Sequence, residues 1–163
     1  MSPGTNKNIT AEELIRIYRL RPHPEGGFYR ETYRSSGKTA GERNFCTAIY
    51  FLLPAGCKSR MHRLRSDELW HFYMGGPMTI GQVYPDGSVE RVVLGGDASA
   101  GHVFQHVVPA GCWFGAYPEP GTKFSFVGCT VAPGFDFDDF EFGDRATLSE
   151  QYPNAKELIK KLT

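Results

Sequence analysis

From Phe28 to Val131 the chain alternates short runs rich in aromatic and β-branched residues with breaks that carry glycine or proline. These runs predict strands over Phe28–Tyr33, Phe45–Leu53, Ser59–Leu64, Glu68–Met74, Met78–Val83, Val89–Leu94, Val103–Val108, Cys112–Tyr117 and Phe124–Val131. Tyr84-Pro-Asp-Gly-Ser88 reads as a hairpin connection, with Gly87 free to take positive φ. A different period opens the chain. Thr10 and Glu13 form a capping box, and Leu14, Ile17, Tyr18 and Leu20 supply one apolar face, so a helix is expected there and is ended by Pro22 and Pro24. Pro153, Ala155, Leu158, Ile159 and Leu162 describe a final short helix. Many short strands without intervening helices favour a sandwich or closed barrel. No internal repeat or low-complexity linker divides the sequence. Residues 1–9 read as a flexible polar tail and residues 10–163 as a single domain.

At 163 residues the chain is long enough for one well-buried core. Its 18 basic and 18 acidic residues cancel, and no basic stripe is present, so neither a nucleic acid nor a membrane surface is an expected partner. No apolar run reaches the ~20 residues needed to span a bilayer, and no charged-then-apolar leader opens the chain. Cys46, Cys57, Cys112 and Cys129 are widely spaced within apolar stretches. They read as buried free thiols of a reducing, cytoplasmic compartment.

The segment Gly56 to Gly75 concentrates the chemistry. His62, Glu68 and Gly75 follow Gly56 at fixed intervals, with Leu64 between His62 and Glu68. Strand alternation gives His62 the same face as Arg60 and Leu64, and gives Glu68 the same face as Trp70 and Phe72. If that face is the interior, the wall mixes an imidazole, a carboxylate and a guanidinium with large rings, as ligand pockets do. The competing reading makes Trp70 and Phe72 core filler and Arg60–Glu68 a structural ion pair. His23-Pro-Glu25-Gly-Gly27 reads as a corner with two permissive glycines, from which Glu25 faces a ligand or a partner subunit. Gln105, inside an apolar strand, needs hydrogen-bond partners from backbone or ligand. Trp113 either packs or stacks on a planar ring. The acidic run Asp136 to Asp144 lacks the order of a Ca²⁺ loop. Its alternating phenylalanines read as anchors, and its acids as a solvated face.

The spacing Gly56-x5-His62-x-Leu64-x3-Glu68-x6-Gly75 resembles the first signature of the cupin superfamily, with Leu64 where that signature has a second His. Pro109-Ala-Gly111-Cys-Trp113-Phe114 resembles the second, with Phe114 in the slot of a metal-binding His. The stretches His23–Thr32, Ser66–Tyr73, Gln105, Val108–Trp113 and Gly128–Phe137 are more specifically similar to the cupin-5 family, related to the RmlC-like sugar-nucleotide epimerases. The resemblance implies an all-β fold, a double-stranded β-helix or jelly roll with short terminal helices, and a homodimer. It implies no certain metal, because two of the four usual ligand positions are hydrocarbon. A metal centre would need His102, His106 or His71 to join His62 and Glu68, and His102 and His106 lie ~13 Å apart along one strand.

These readings lead to a small-molecule-binding cupin whose ligand is a nucleotide or nucleotide-sugar. His62 and Glu68 are the candidate base and acid of an epimerase or isomerase. Arg60, Trp70, Phe72, Gln105, Trp113, Phe114, Glu25 and His71 are the candidate ligand contacts, and no metal or other cofactor is expected. The epimerases carry an Arg three residues before their catalytic His, whereas Arg60 stands two before His62. A metal-dependent dioxygenase or sugar-phosphate isomerase and a non-catalytic binding protein are the alternatives.

Overall fold

The computed structural model describes residues 9–163, so all but the last residue of the expected N-terminal tail lies outside the described residues. Two antiparallel sheets face each other. One has the order β1-β2-β3-β10-β5-β8, formed by β1 (Arg21–Pro22), β2 (Phe28–Arg34), β3 (Thr47–Pro54), β5 (Asp67–Gly75), β8 (Gln105–Val108) and β10 (Phe124–Ala132). The other has the order β11-β4-β9-β6-β7, formed by β4 (Ser59–Arg63), β6 (Met78–Val83), β7 (Val89–Leu94), β9 (Trp113–Pro118) and β11 (Glu141–Phe142). This is the jelly roll expected from the sequence. The nine anticipated strands are all present, two of them, β6 and β7, with the anticipated ends.

The main core lies between the sheets, where Phe51, Leu53, Trp70, Met78, Ile80, Phe114 and Val127 are fully enclosed. Helix α1 (Ala11–Tyr18), with its capping box, covers part of the large sheet's outer face through Leu14, Leu52 and Phe126. Helices α2 (Arg145–Gln151) and α3 (Lys156–Leu162) cover the small sheet through Met61, Trp113, Leu158 and Ile159. Gly81 and Gly115 let α3 sit this close, since a Cβ on Gly81 would meet the Leu158 side chain at 2.5 Å. The four cysteines are free thiols; Cys112 and Cys129 are buried, and Cys46 and Cys57 are partly exposed.

Three elements are additions to the sequence reading. The pair β1 stays short because Pro22 brings no N–H to the ladder. Helix α2 is started by Asp144, which accepts from the Thr147 N–H at 2.9 Å. The acidic run is less solvated than expected. Glu141 and Phe142 pair with Arg63 and His62 as an added edge strand, and Arg43 binds Asp136 at 2.6 Å and Asp139 at 3.0 Å. Phe135 and Phe140 pack on the core as anchors, whereas Phe137 and Phe142 remain exposed.

Candidate functional site

One end of the barrel holds a cavity of about 390 Å³, and its floor begins at the His23–Gly27 corner. Gly26 has φ of 114°, and a Cβ there would fall 2.1 Å from the Lys58 carbonyl oxygen. Only glycine lets the corner lie against the start of β4. That approach places Glu25 beside β4: its carbonyl accepts from the Arg60 N–H at 2.8 Å, and its carboxyl accepts from the Ser59 hydroxyl at 2.9 Å.

A β-bulge then sets the phase of β4. Ser59 pairs with Ala116 and His62 with Phe114, so three steps on β4 face two on β9. The surplus residue turns both Arg60 and Met61 away from the interior and returns His62 to it. A second bulge on β2 does the same for Arg34. Glu31 pairs with Ile49, but Tyr33 pairs with Ala48, so Arg34 shares the inner face with Glu31. Glu68 enters from β5 opposite Val131, and both line the cavity with Leu64, Ile49 and Cys129.

The floor is buried and its charges are suppressed. His62, 2% exposed, lies between the Phe114 ring at 4.1 Å and the Phe140 ring stacked at 4.9 Å. Its Nδ1 is 2.6 Å from the Arg60 carbonyl oxygen, which only accepts, so Nδ1 carries the proton. Nε2 then presents its lone pair to Glu25 Oε2 at 3.2 Å. Burial lowers the His62 pKa to about 4 despite the Arg60 carbonyl, and burial raises that of Glu25. Burial thus disfavours the charged form of both members of the pair. His23 joins through its Nδ1, which accepts from the Glu25 N–H at 3.1 Å; burial lowers its pKa too. Glu68 is pushed up to about 8, first by burial and then by the neighbouring Glu25. Glu68 lines the cavity with the Trp70 indole and the Cys129 thiol beside its carboxyl, and its Oε2 has no hydrogen bond of ordinary geometry among the described residues. Such a group awaits a ligand atom or a water.

Around this floor stand Tyr29, Phe135 and Phe140, and the mouth is formed by Arg21, Glu31, Arg34, Asp136 and Phe137. The site thus unites three of the residues singled out by sequence, His62, Glu68 and Glu25, but Glu25 rather than Glu68 is the partner of His62. The other candidate contacts lie elsewhere. Arg60 is exposed on the outer side, its guanidinium 4.6 Å above the Phe142 ring, because the bulge breaks the alternation. Trp70 and Phe72 do point inward, but deeper along β5, where Trp70 fills the core edge-on to Phe51 and Phe114. Phe114 packs beneath His62. Trp113 is buried under the helices with Arg63 stacked 4.5 Å above it. Gln105 is exposed, not buried, and its amide donates to His71 Nδ1 at 3.1 Å on the outside of the large sheet. Arg21 and Arg34 were absent from the sequence reading, which had His23 and Tyr29 only within a family stretch and took the phenylalanines after Asp136 as anchors rather than as a cavity wall. The signal for His23 and Tyr29 was their place in the same corner and strand as Glu25.

The donor set does not fit a metal at the two signature positions. Leu64 and Phe114 are hydrocarbon, and both ring nitrogens of His62 are engaged. His102 Nδ1 accepts from the Asp97 N–H at 3.3 Å, and His106 Nε2 lies 2.9 Å from Gln82 Nε2, so neither reaches the cavity. No three His, Cys, Asp or Glu side chains among the described residues are arranged to hold an ion. No helix among them is long and apolar enough to cross a membrane.

Comparison with known proteins identifies the family and agrees with the fold. Residues 12–143 match the family model Cupin_5, described as Cupin superfamily (DUF985). The uncharacterized protein YML079W of Saccharomyces cerevisiae is 34% identical over 149 residues, 80% of this chain and 74% of that one. The crystal structure of protein SO0799 from Shewanella oneidensis is 42% identical with a TM-score of 0.90, covering 95% of this chain and 98% of that one. A hypothetical protein from Leishmania major is 35% identical with a TM-score of 0.89, covering 95% and 99%. Oxalate decarboxylase from Bacillus subtilis, 14% identical with a TM-score of 0.57 over 87% of this chain and 36% of that one, shares the fold alone.

Proposed function

The chain belongs to the Cupin_5 family of the cupin superfamily, and on that premise we propose that it is a cytosolic, metal-independent protein that binds a small carbonyl compound and moves protons on it. The ligand class is a carbohydrate, most simply the sugar portion of a nucleotide-sugar. The observation that carries this reading is the pairing of two differently tuned acid–base groups around one cavity: a protonated Glu68 and the Glu25–His62 pair. Environments that push such groups apart in pKa divide acid from base roles. The cavity volume of about 390 Å³ lies near the small end of ligand sites and suits a sugar ring, with any larger portion outside the mouth.

The reaction supported is enolisation. A C–H proton beside the ligand carbonyl passes to the Glu25–His62 pair, and Glu68 gives its proton to the carbonyl oxygen. The pair gains one positive charge, Glu68 one negative charge, and the enol is neutral. Reversal at the same or a neighbouring carbon gives epimerisation or isomerisation. An imidazole with a pKa of about 4 is a weak base at rest. The charge appearing on Glu68 raises its proton affinity as the transfer proceeds.

Deuterium wash-in from D₂O into a nucleotide-linked keto sugar tests this. The expected rate profile is a bell with limbs near pH 4 and 8, because His62 must be neutral and Glu68 protonated. His62→Ala is expected to slow exchange by roughly 10²–10⁴-fold, while EDTA-treated protein keeps the parent rate. Absence of binding at millimolar ligand, or exchange equal in His62→Ala, would overturn the reading. Binding without exchange in the parent would make the protein a non-catalytic binder.

A further inference from the structure

One cationic side chain of the cavity lining is left without a partner among the described residues, and it identifies a second recognition element. Arg34 forms a fork with Glu31 at 2.9 and 2.8 Å and also donates to the Phe135 carbonyl. Asp136 is taken by Arg43 at 2.6 Å. Glu25 is satisfied by His62 and Ser59, and burial holds the proton on Glu68. Arg21 is the remaining cationic lining residue, and it makes no ion pair and no side-chain hydrogen bond among the described residues. Its backbone is nonetheless held in register, paired with Tyr29 on β2 and followed by Pro22, so the guanidinium projects from a fixed point at the mouth.

We infer that Arg21 is a specificity-determining residue that binds an anionic group of the ligand at the mouth, while the ligand's uncharged carbonyl end occupies the floor at Glu68 and Glu25–His62. The inference rests on the reading above and narrows its substrate class to phosphorylated or carboxylated carbohydrates. A guanidinium suits such groups because its planar donors meet two oxygens at once. The ligand-contact role that the sequence suggested for Arg60 passes to Arg21, since Arg60 is turned out of the barrel.

Calorimetric titration of the whole chain with four probes tests it: methyl glucoside, glucose 1-phosphate, UDP-glucose and inorganic pyrophosphate. The parent should bind both phosphorylated sugars about tenfold or more tightly than methyl glucoside, and Arg21→Gln should erase that preference. Arg21→Lys should restore part of it, and Arg91→Gln, on an exposed position of β7, should bind as the parent does. The glucose 1-phosphate and UDP-glucose arms separate a monophosphate from a nucleotide source for the anion. Equal affinity of Arg21→Gln and parent for the phosphorylated probes would overturn the inference and leave the carbohydrate reading intact. Pyrophosphate binding that is lost in Arg21→Gln, with no binding of methyl glucoside, would support the anion site and defeat the carbohydrate reading. No binding of any probe would overturn both.

Discussion

Glu68→Gln is expected to be more stable than the parent protein at pH 8 by on the order of 4 kcal/mol, and nearly equal to it at pH 4.5. The ordinary value of 4.5 applies to the unfolded chain, and burial takes the folded value to about 8. Between those limits the native state keeps a proton that the unfolded state has released, so stability falls as pH rises through the window and levels off above it. At about 1.4 kcal/mol per pH unit the loss is several kcal/mol. An amide removes it. His62 acts in the opposite sense: its folded value near 4 lies below 6.5, so stability is lost as pH falls from about 6.5 to 4. The two effects oppose each other between pH 4.5 and 6.5, which leaves the decline above 6.5 to Glu68. Chemical denaturation of both proteins from pH 4.5 to 8.5 measures the difference. A melting temperature raised by roughly 10 °C at pH 8 would accompany it. Equal stability at both pH values would mean that Glu68 is an ordinary carboxylate, and the acid role would fall with it. The group thus weakens the fold at neutral pH, which is the usual signature of a residue kept for chemistry.

Trp70→Ala is expected to cost about 3–5 kcal/mol in urea unfolding. The side chain is 1% exposed and meets Phe51 and Phe114 edge-on at 5.8 and 6.4 Å. Its removal leaves a void between the sheets, directly behind the ring that supports His62. Trp70→Phe keeps a ring and deletes an indole N–H that lies beside the Glu68 carboxyl but makes no hydrogen bond of ordinary geometry among the described residues, so its cost should be less than half as large. The pair of variants separates a core tryptophan from a ligand platform. A platform residue would lose affinity on truncation with little change in stability. A loss below about 1 kcal/mol for Trp70→Ala would mean that the barrel interior is open beyond the cavity floor.

The strands were legible because each presents a compact block of aromatic and β-branched residues between glycine or proline breaks. The partnership of His62 was not. Alternation placed Glu68, Trp70 and Phe72 on the inner face correctly, since β5 is regular over those residues. It failed for Arg60, because one surplus residue between Ser59 and His62 re-phases the strand, and no residue type in that segment announces a bulge. The same event on β2 concealed Arg34. Depth was also invisible. Two-residue periodicity tells which face a side chain takes, not whether it lies at the mouth or in the packed middle, and this difference separates Glu68 from Trp70. The Glu25–His62 contact joins residues 37 positions apart through a corner whose geometry follows from Gly26. Its only trace in the sequence is the glycine pair itself.

The segment that carries Phe135, Phe137 and Phe140 is tied to the body by Arg43 and Arg34 and supplies one side of the cavity without being a strand of either main sheet there. The barrel core and the aromatic side of the cavity wall are consequently written in separate stretches of sequence. Those few aromatic positions can therefore be exchanged without replacing any of the side chains buried between the sheets.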